Sequence, residues 1–254
     1  MLLQKMKWPA VKAEVEKGTV VIVPVGSTEQ HGYHLPIDID VAVVYHIACR
    51  AAERCGAIVA PPVNYGYNEK DLAFPGTVSV RAETLIQLLG DICRSLLRTG
   101  FRKMLLLNGH GYNTFLVQTV AHTVNEEPDA LCAAASYWDL IDRQLLRNLR
   151  ESTVPGGMSH ACEFETSIAL YLDPEHVEMD KAVREMAFCQ TPYTFFDLVL
   201  RPPVLLRTAW DRNSRSGVVG DPTLATREKG EKLVDAAVAG LAEFLRLFRE
   251  QITH

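Results

Sequence analysis

The sequence predicts an α/β fold: a single domain with a mostly parallel β-sheet flanked by helices. Two observations predict it. Short apolar or β-branched runs alternate with longer segments of helical periodicity, the rhythm of parallel strands joined by crossover helices. Polar, histidine-bearing clusters follow directly on two of those runs, where parallel sheets place their ligands. The 254 residues suffice for one large domain, since a chain of this length hides roughly 70–75% of its unfolded surface. No internal repeat or low-complexity tract divides it.

The elements follow in order. Thr19–Val25 reads as a buried strand ending at Gly26. Val41–Arg54 has helical spacing and Gly56 stops it. Ala57–Pro62 reads as a second strand, followed by a loop through Phe74-Pro75-Gly76. A helix from Arg81 to Arg98 carries Leu85, Leu88, Leu89, Ile92 and Leu96 on one face. Lys103–Leu107 is a third strand, Asn113–Asn125 a helix and Leu131–Ser136 a fourth strand. Val177–Thr208 has no clear period and reads as an excursion, a pocket lid or a subunit contact. Asp221-Pro222 reads as the N-cap and first position of a final helix running to Arg249.

Composition narrows the function classes. Apolar residues make up 48% and charged residues 22%, an ordinary globular balance. The formal charge of −5 argues against nucleic acid or an anionic membrane as partner. The sequence holds no uncharged apolar run long enough for a membrane span. Residues 1–14 have no apolar signal region, and none of the six cysteines forms a C-x-x-C pair. A cytoplasmic protein with structural thiols is the expectation. Its eight histidines are the first sign of chemistry.

Three segments could carry that chemistry. In Gly26-Ser-Thr-Glu-Gln-His-Gly32, Glu29 and His31 are two apart, so in extended chain they point to one side. A carboxylate and an imidazole at a strand end suit a divalent metal, and Asp40 could fold back to bridge two ions. A solvated polar loop is the plain alternative. His34 reads as a supporting histidine. In Asn108-Gly-His-Gly-Tyr-Asn113, the glycines give His110 backbone room for an ion or substrate, although a tight βα turn explains them equally. No dinucleotide fingerprint is present. In Ser159-His-Ala-Cys-Glu-Phe-Glu165, His160 could serve as general acid or base. Glu163 and Glu165 diverge on a helix, so at most one faces a site. Their alternative role is to complement the helix dipole. Tyr137 and Trp138, at a strand end, could wall a pocket or pack the core. A serine nucleophile lacks its G-x-S-x-G elbow.

At these residues the sequence resembles the creatininase family. The likeness rests on Gly26-Ser-Thr-Glu-Gln-His-Gly32, His34-Leu-Pro36, Asp40, Phe74-Pro-Gly-Thr77, Asn108-Gly-His-Gly111 with Asn113, and His160-Ala161. Glu165-Thr-Ser167, Gly217 and Gly220-Asp-Pro-Thr223 extend it, in order, over most of the chain. The resemblance implies one α/β domain with a binuclear metal centre at the strand ends and hydrolysis of amide C–N bonds. Zinc, with zinc, manganese or iron as the second ion, is the implied cofactor. Glu29 and His110 would hold one metal, His31 the other and Asp40 both, with His160 the catalytic histidine. A homo-oligomer, commonly a hexamer built from dimers, is implied too.

The chain departs from that pattern. Tyr112 stands where true creatininase has a glutamate ligand, so the second metal needs another, and Glu165 is the candidate. Ser159 replaces an acidic residue, and Cys162 stands where a glycine is common. Tyr67-Asn-Glu-Lys-Asp-Leu72 lacks a histidine often found there. Tyr112, Ser159 and Trp138 are then the candidate substrate-binding residues. The expected substrate is a small cyclic amide or formamide, creatinine-like. A pyrimidine formamide, a small peptide and a cyclic keto-polyol are the alternatives within the family. A non-catalytic metal-stabilised subunit and a plain nucleotide-binding domain are the alternatives outside it.

Overall fold

Four parallel strands form the centre of the protein, in the order β2-β1-β3-β4. They are β1 (Val21–Val25), β2 (Ile58–Val59), β3 (Lys103–Asn108) and β4 (Leu131–Ser136). The structure is a computed structural model and describes residues 1–186, 190–206 and 208–250. Cys189 and His254, and part of the excursion at 177–208, lie outside the described residues.

Alternation along the strands builds two cores. Ile22, Leu105 and Leu107 face α2 (Ile39–Cys55), α6 (Glu163–Leu172) and α7 (Arg227–Glu250). Val21, Val23, Met104 and Leu106 face α3 (Ala82–Arg98) and α4 (Thr114–Val124). Strands covered on both faces read as continuous apolar runs, which is why β1 and β3 were visible in the sequence. Gly56 ends α2 in the left-handed conformation at φ 73°. Two helices carry too little pattern to be expected: α1 (Trp8–Glu16) and α5 (Arg143–Leu149).

The order of strands places the site. The chain steps from β1 outward to β2, then returns to lay β3 against the other side of β1. The two outgoing connections therefore part between β1 and β3, the switch point where parallel sheets bind ligands. Val25 pairs with Asn108 at that end, so the loops after β1 and β3 emerge side by side. A small antiparallel pair, β5 (Met158–His160) with β6 (Val219–Gly220), closes over them.

Three points differ from the sequence reading. Asp40 is no loop residue folding back: it sits in the first turn of α2. Gly109 of the second motif, with Gly26 of the first, serves that approach rather than leaving room for a ligand. A Cβ on Gly109 would lie 2.5 Å from the Asp40 carbonyl oxygen, and one on Gly26 would lie 2.7 Å from the Val41 Cα. Lastly, Asp221-Pro222 opens only a single 3-10 turn, Pro222–Leu224, with Asp221 accepting from the Thr223 amide. The long α7 starts at Arg227, where the Thr226 hydroxyl accepts from the Lys229 amide.

Candidate metal centre

Five side chains from four parts of the chain converge beyond the ends of β1 and β3. Glu29 and His31 follow β1, Asp40 opens α2, His110 follows β3 and Glu165 lies in the first turn of α6. All five are buried. His110 Nδ1 lies 3.1 Å from Glu29 Oε1 and 3.0 Å from Asp40 Oδ2. His31 Nε2 lies 3.5 Å from Asp40 Oδ1. Ligand atoms of Glu29, Asp40 and His110 lie within 4.8 Å of one another, and so do those of His31, Asp40 and Glu165. Asp40 belongs to both sets.

Glu163 and Glu165 do diverge. Glu163 turns away to pair with Lys229 Nζ at 2.6 Å and to accept from the Ser152 amide at 2.9 Å. Its charge is used structurally, while Glu165 faces the cluster.

The ring tautomers support a metal. His31 Nδ1 lies 3.2 Å from the Glu29 carbonyl oxygen, and His110 Nε2 lies 3.2 Å from that of Tyr67. Each carbonyl holds a proton on the nitrogen facing it, which leaves the other nitrogen's lone pair aimed at the carboxylates. Glu29 Oε2, His31 Nε2 and Asp40 Oδ2 have no hydrogen-bond partner among the described residues. Buried acceptors facing acceptors need a cation or protons between them. Nitrogen and oxygen donors in this mixture fit zinc, manganese or iron(II).

Electrostatics agree with that demand. Burial disfavours charge on His31, but its contact with Asp40 and the charges of Asp40, Glu165 and Glu29 outweigh it and raise its pKa to about 10. His110 is raised well above its usual value by the same balance, through Glu29 and Asp40. Burial pushes Glu165 up to about 7. His160 behaves oppositely: burial, then the His31 charge, lower it to about 4.

His160 closes the cluster from β5. Its Nε2 lies 2.7 Å from the Gln30 carbonyl oxygen, and its Nδ1 lies 3.5 Å from Glu29 Oε1. Its ring stands 4.4 Å from that of His31, and Glu29, His31 and His160 form a third possible ligand set. His34 lies behind, with Nε2 2.8 Å from the Thr166 hydroxyl.

The cluster forms the floor of a narrow cleft of about 50 Å³. Tyr112, Ser159, Phe196, Leu198 and Trp210 line it, with a further buried carboxyl, Asp71. Trp138 does not line this cleft. It packs into the α2–α7 core and borders an adjoining groove with Thr114, Phe115 and Leu198. The aromatic wall is Trp210, whose indole donates to the Gly217 carbonyl at 2.8 Å. Its ring meets those of His160 at 5.4 Å, Phe196 at 5.2 Å and Tyr112 at 6.1 Å. Sequence reasoning missed Trp210, Phe196 and Asp71, because all three sit on loops without periodicity. The one available signal was that Phe196 and Asp71 fall in segments already marked as unusual.

A parallel α/β domain with buried histidines and carboxylates converging at its topological switch point defines the class of protein. The chain belongs to the creatininase family: that family's model, described as creatinine amidohydrolase, matches residues 4–245. The chain is therefore a hydrolase of that family. It is 32% identical to a creatinine amidohydrolase of Pseudomonas putida, over 95% of each chain. It is 33% identical to a mycofactocin precursor peptide peptidase of Mycolicibacterium smegmatis, over 89% of this chain and 84% of the relative. It is 30% identical to a 3-dehydro-scyllo-inosose hydrolase of Thermotoga maritima, over 98% of this chain and 83% of the relative. The solved structure of a manganese form of creatininase superposes with a TM-score of 0.83 at 31% identity, over 98% of this chain and 99% of that one.

Proposed function

We propose that this protein is a binuclear metal-dependent amidohydrolase that cleaves a C–N bond of a small cyclic amide or formamide. The observation that carries the reading is the pair of ligand sets sharing Asp40, with unpartnered acceptor atoms facing one another. Glu29 and His110 would hold one ion, His31 and Glu165 the other, with Asp40 bridging. Zinc would fill one position, and zinc, manganese or iron(II) the second. Two such ions supply water of lowered pKa and polarise a substrate carbonyl.

The chain's own residues do the rest. His160 is neutral at neutral pH, so it enters the reaction able to accept a proton. With Nε2 engaged by the Gln30 carbonyl and side-chain amide, Nδ1 is the atom that takes the proton and passes it to the leaving nitrogen, which cannot depart as an amide anion. Trp210, Phe196 and Tyr112 exclude water from one side, and Ser159 offers a hydroxyl beside His160. Burial of the whole cluster strengthens each of these interactions.

A second reading, hydrolysis at the end of a peptide, draws support from the adjoining groove of about 330 Å³, which shares Gly111, Asp197 and Leu198 with the cleft. Near-equal identity to relatives with three different named activities favours no single substrate. The same reading makes the protein a cytoplasmic homo-oligomer, with the exposed Tyr193, Val204, Leu205 and Leu206 available for subunit contact. Among the described residues, no helix is long and apolar enough to cross a membrane.

The test is a screen of the metal-reconstituted protein against cyclic amides, formamides, lactams and short peptides, creatinine included, with metal content measured in parallel. Turnover of a small amide with about two ions per chain is the expected outcome. Fewer than about one ion per chain after reconstitution would overturn the binuclear enzyme.

A further inference from the structure

The segment 197–200 separates two concave surfaces. Asp197 and Leu198 line the cleft over the metal cluster, while Val199 and Leu200 line a hollow of about 260 Å³ against α5. The hollow and the cleft share no lining residue. Leu146, Val154, Val199 and Leu200 give the hollow apolar walls, and Arg143, Arg147 and Arg150 stand among them. Among the described residues, none that lines it is acidic.

The three guanidiniums are in different states. Arg150 is committed: its Nη2 donates to Asp197 Oδ2 at 2.8 Å and its Nε to the Ser152 carbonyl at 3.2 Å. Asp197 also accepts from the amides of Gly156, Val199 and Leu200, so this pair is satisfied and fixes the wall. Arg143 and Arg147 have neither a hydrogen bond nor an ion pair among the described residues. They stand four apart on α5, one turn from each other. Like charges at that spacing repel, and an anion between them relieves the repulsion.

Charge is only half of the character of this surface. Leu146 is buried at its floor, whereas Val154 is 61% exposed at its rim. Exposed apolar surface beside uncommitted charge suits a ligand with both properties. The chain carries a net charge of −5, so a concave surface with uncommitted cations and no acid is a local exception. A guanidinium meets a carboxylate through two parallel hydrogen bonds, a match of geometry as well as charge.

We propose that this hollow is a second binding site, separate from the metal centre, for an aliphatic or aromatic carboxylate. The carboxylate lies on Arg143 and Arg147, and the apolar body lies against Val154, Val199 and Leu200. None of these residues belongs to the metal cluster, so the site does not depend on the hydrolase reading.

The experiment compares 4-phenylbutyrate with the neutral 4-phenylbutan-1-ol, by calorimetric binding to the metal-loaded protein. It uses wild type and the double variant Arg143→Gln/Arg147→Gln. Both arginines are exposed, so the variant should keep its fold and its metal content. Wild type should bind the carboxylate about tenfold tighter than the alcohol at low salt. That preference should shrink as salt is added. In the variant the two probes should bind nearly alike. Wild type that binds neither probe, or binds both alike, overturns the proposal without needing a variant. So does a preference that survives in the variant, which would place the carboxylate elsewhere, on the metal ions first of all.

Discussion

His110 Nδ1 and Asp40 Oδ2 lie 3.0 Å apart across 70 residues of sequence. One follows β3 and the other opens α2, and they meet because Gly109 lets the helix start settle against the strand end. Asp40 also faces His31, so it is the residue common to both ligand sets. Asp40→Asn should therefore empty both positions, where loss of any other ligand should empty one. The expected result is metal content near zero after dialysis, and activity down by more than about 100-fold, beyond what loss of an outer-shell partner costs. Elemental analysis checks it. An Asp40→Asn protein that keeps one tightly bound ion would show that Asp40 does not bridge.

Metal uptake should depend on pH with a definite sign. His31, raised to about 10, and His110, raised well above its usual value, are protonated at pH 7 in the metal-free protein. An imidazolium has no lone pair to give, so each must release a proton on binding. The raised His31 value stabilises the metal-free fold fully below pH 6.5, and that contribution is lost as pH rises through about 10. Affinity for the ions should accordingly rise with pH, by about tenfold per unit for each histidine deprotonated. Calorimetry in buffers of different ionisation enthalpy should count about two to three protons released per chain near pH 7, one from each histidine and part of one from Glu165. Uptake without proton release would mean that the histidines are neutral or unligated.

Legibility in the sequence followed periodicity and motif. β1, β3 and β4 were visible because two-sided burial makes their runs apolar, and α3 because its leucines repeat at helical spacing. Glu29, His31, His110 and His160 stood out because imidazoles beside strand ends have few other uses. What the sequence could not show was depth and direction. Trp138 and Trp210 look alike as letters, yet one fills the core and the other faces the cleft. Asp71 reads as an ordinary loop acid until the fold buries it. Asp40 was noticed as an acid, but its place in the first turn of α2 depends on glycine contacts that only the packed chain reveals.

Two glutamates on one helix should fail in different ways. Glu165→Gln removes a candidate ligand that stands in for the missing carboxylate at Tyr112. It should lower metal content from about two ions to about one, with little loss of stability. Glu163→Gln should keep both ions. It strips the charge partner from Lys229, whose side chain is only 10% exposed, and weakens the acceptor for the Ser152 amide. Breaking a buried pair costs about 3 kcal/mol at the lower end, which applies here because Glu151 still reaches Lys229. That corresponds to a Tm drop of roughly 6–12 °C for a chain of this size. Thermal unfolding and metal analysis on the two variants check the contrast. A Glu163→Gln protein of native stability that has lost an ion would reverse the assignment.

His160 carries the sharpest division between roles. Its Nε2 lies 2.7 Å from the Gln30 carbonyl oxygen and 2.9 Å from the Gln30 side-chain nitrogen, so its chemistry passes through Nδ1, which faces Glu29 and His31. That nitrogen could move a proton or bind an ion, and the two uses leave different traces. As the proton-transfer group, its loss in His160→Ala should lower turnover by about 10²- to 10⁴-fold. Metal content should stay at about two ions, because Glu29, His110, Asp40, His31 and Glu165 remain. As a ligand, its loss should release an ion at the same time as activity falls. The choice of substrate adds a second trace. A substrate whose leaving nitrogen is already a good leaving group needs less proton donation, so His160→Ala should hinder it less than an unactivated amide. Equal losses on both substrates, with both ions in place, would place the role of His160 in holding the substrate rather than in moving the proton.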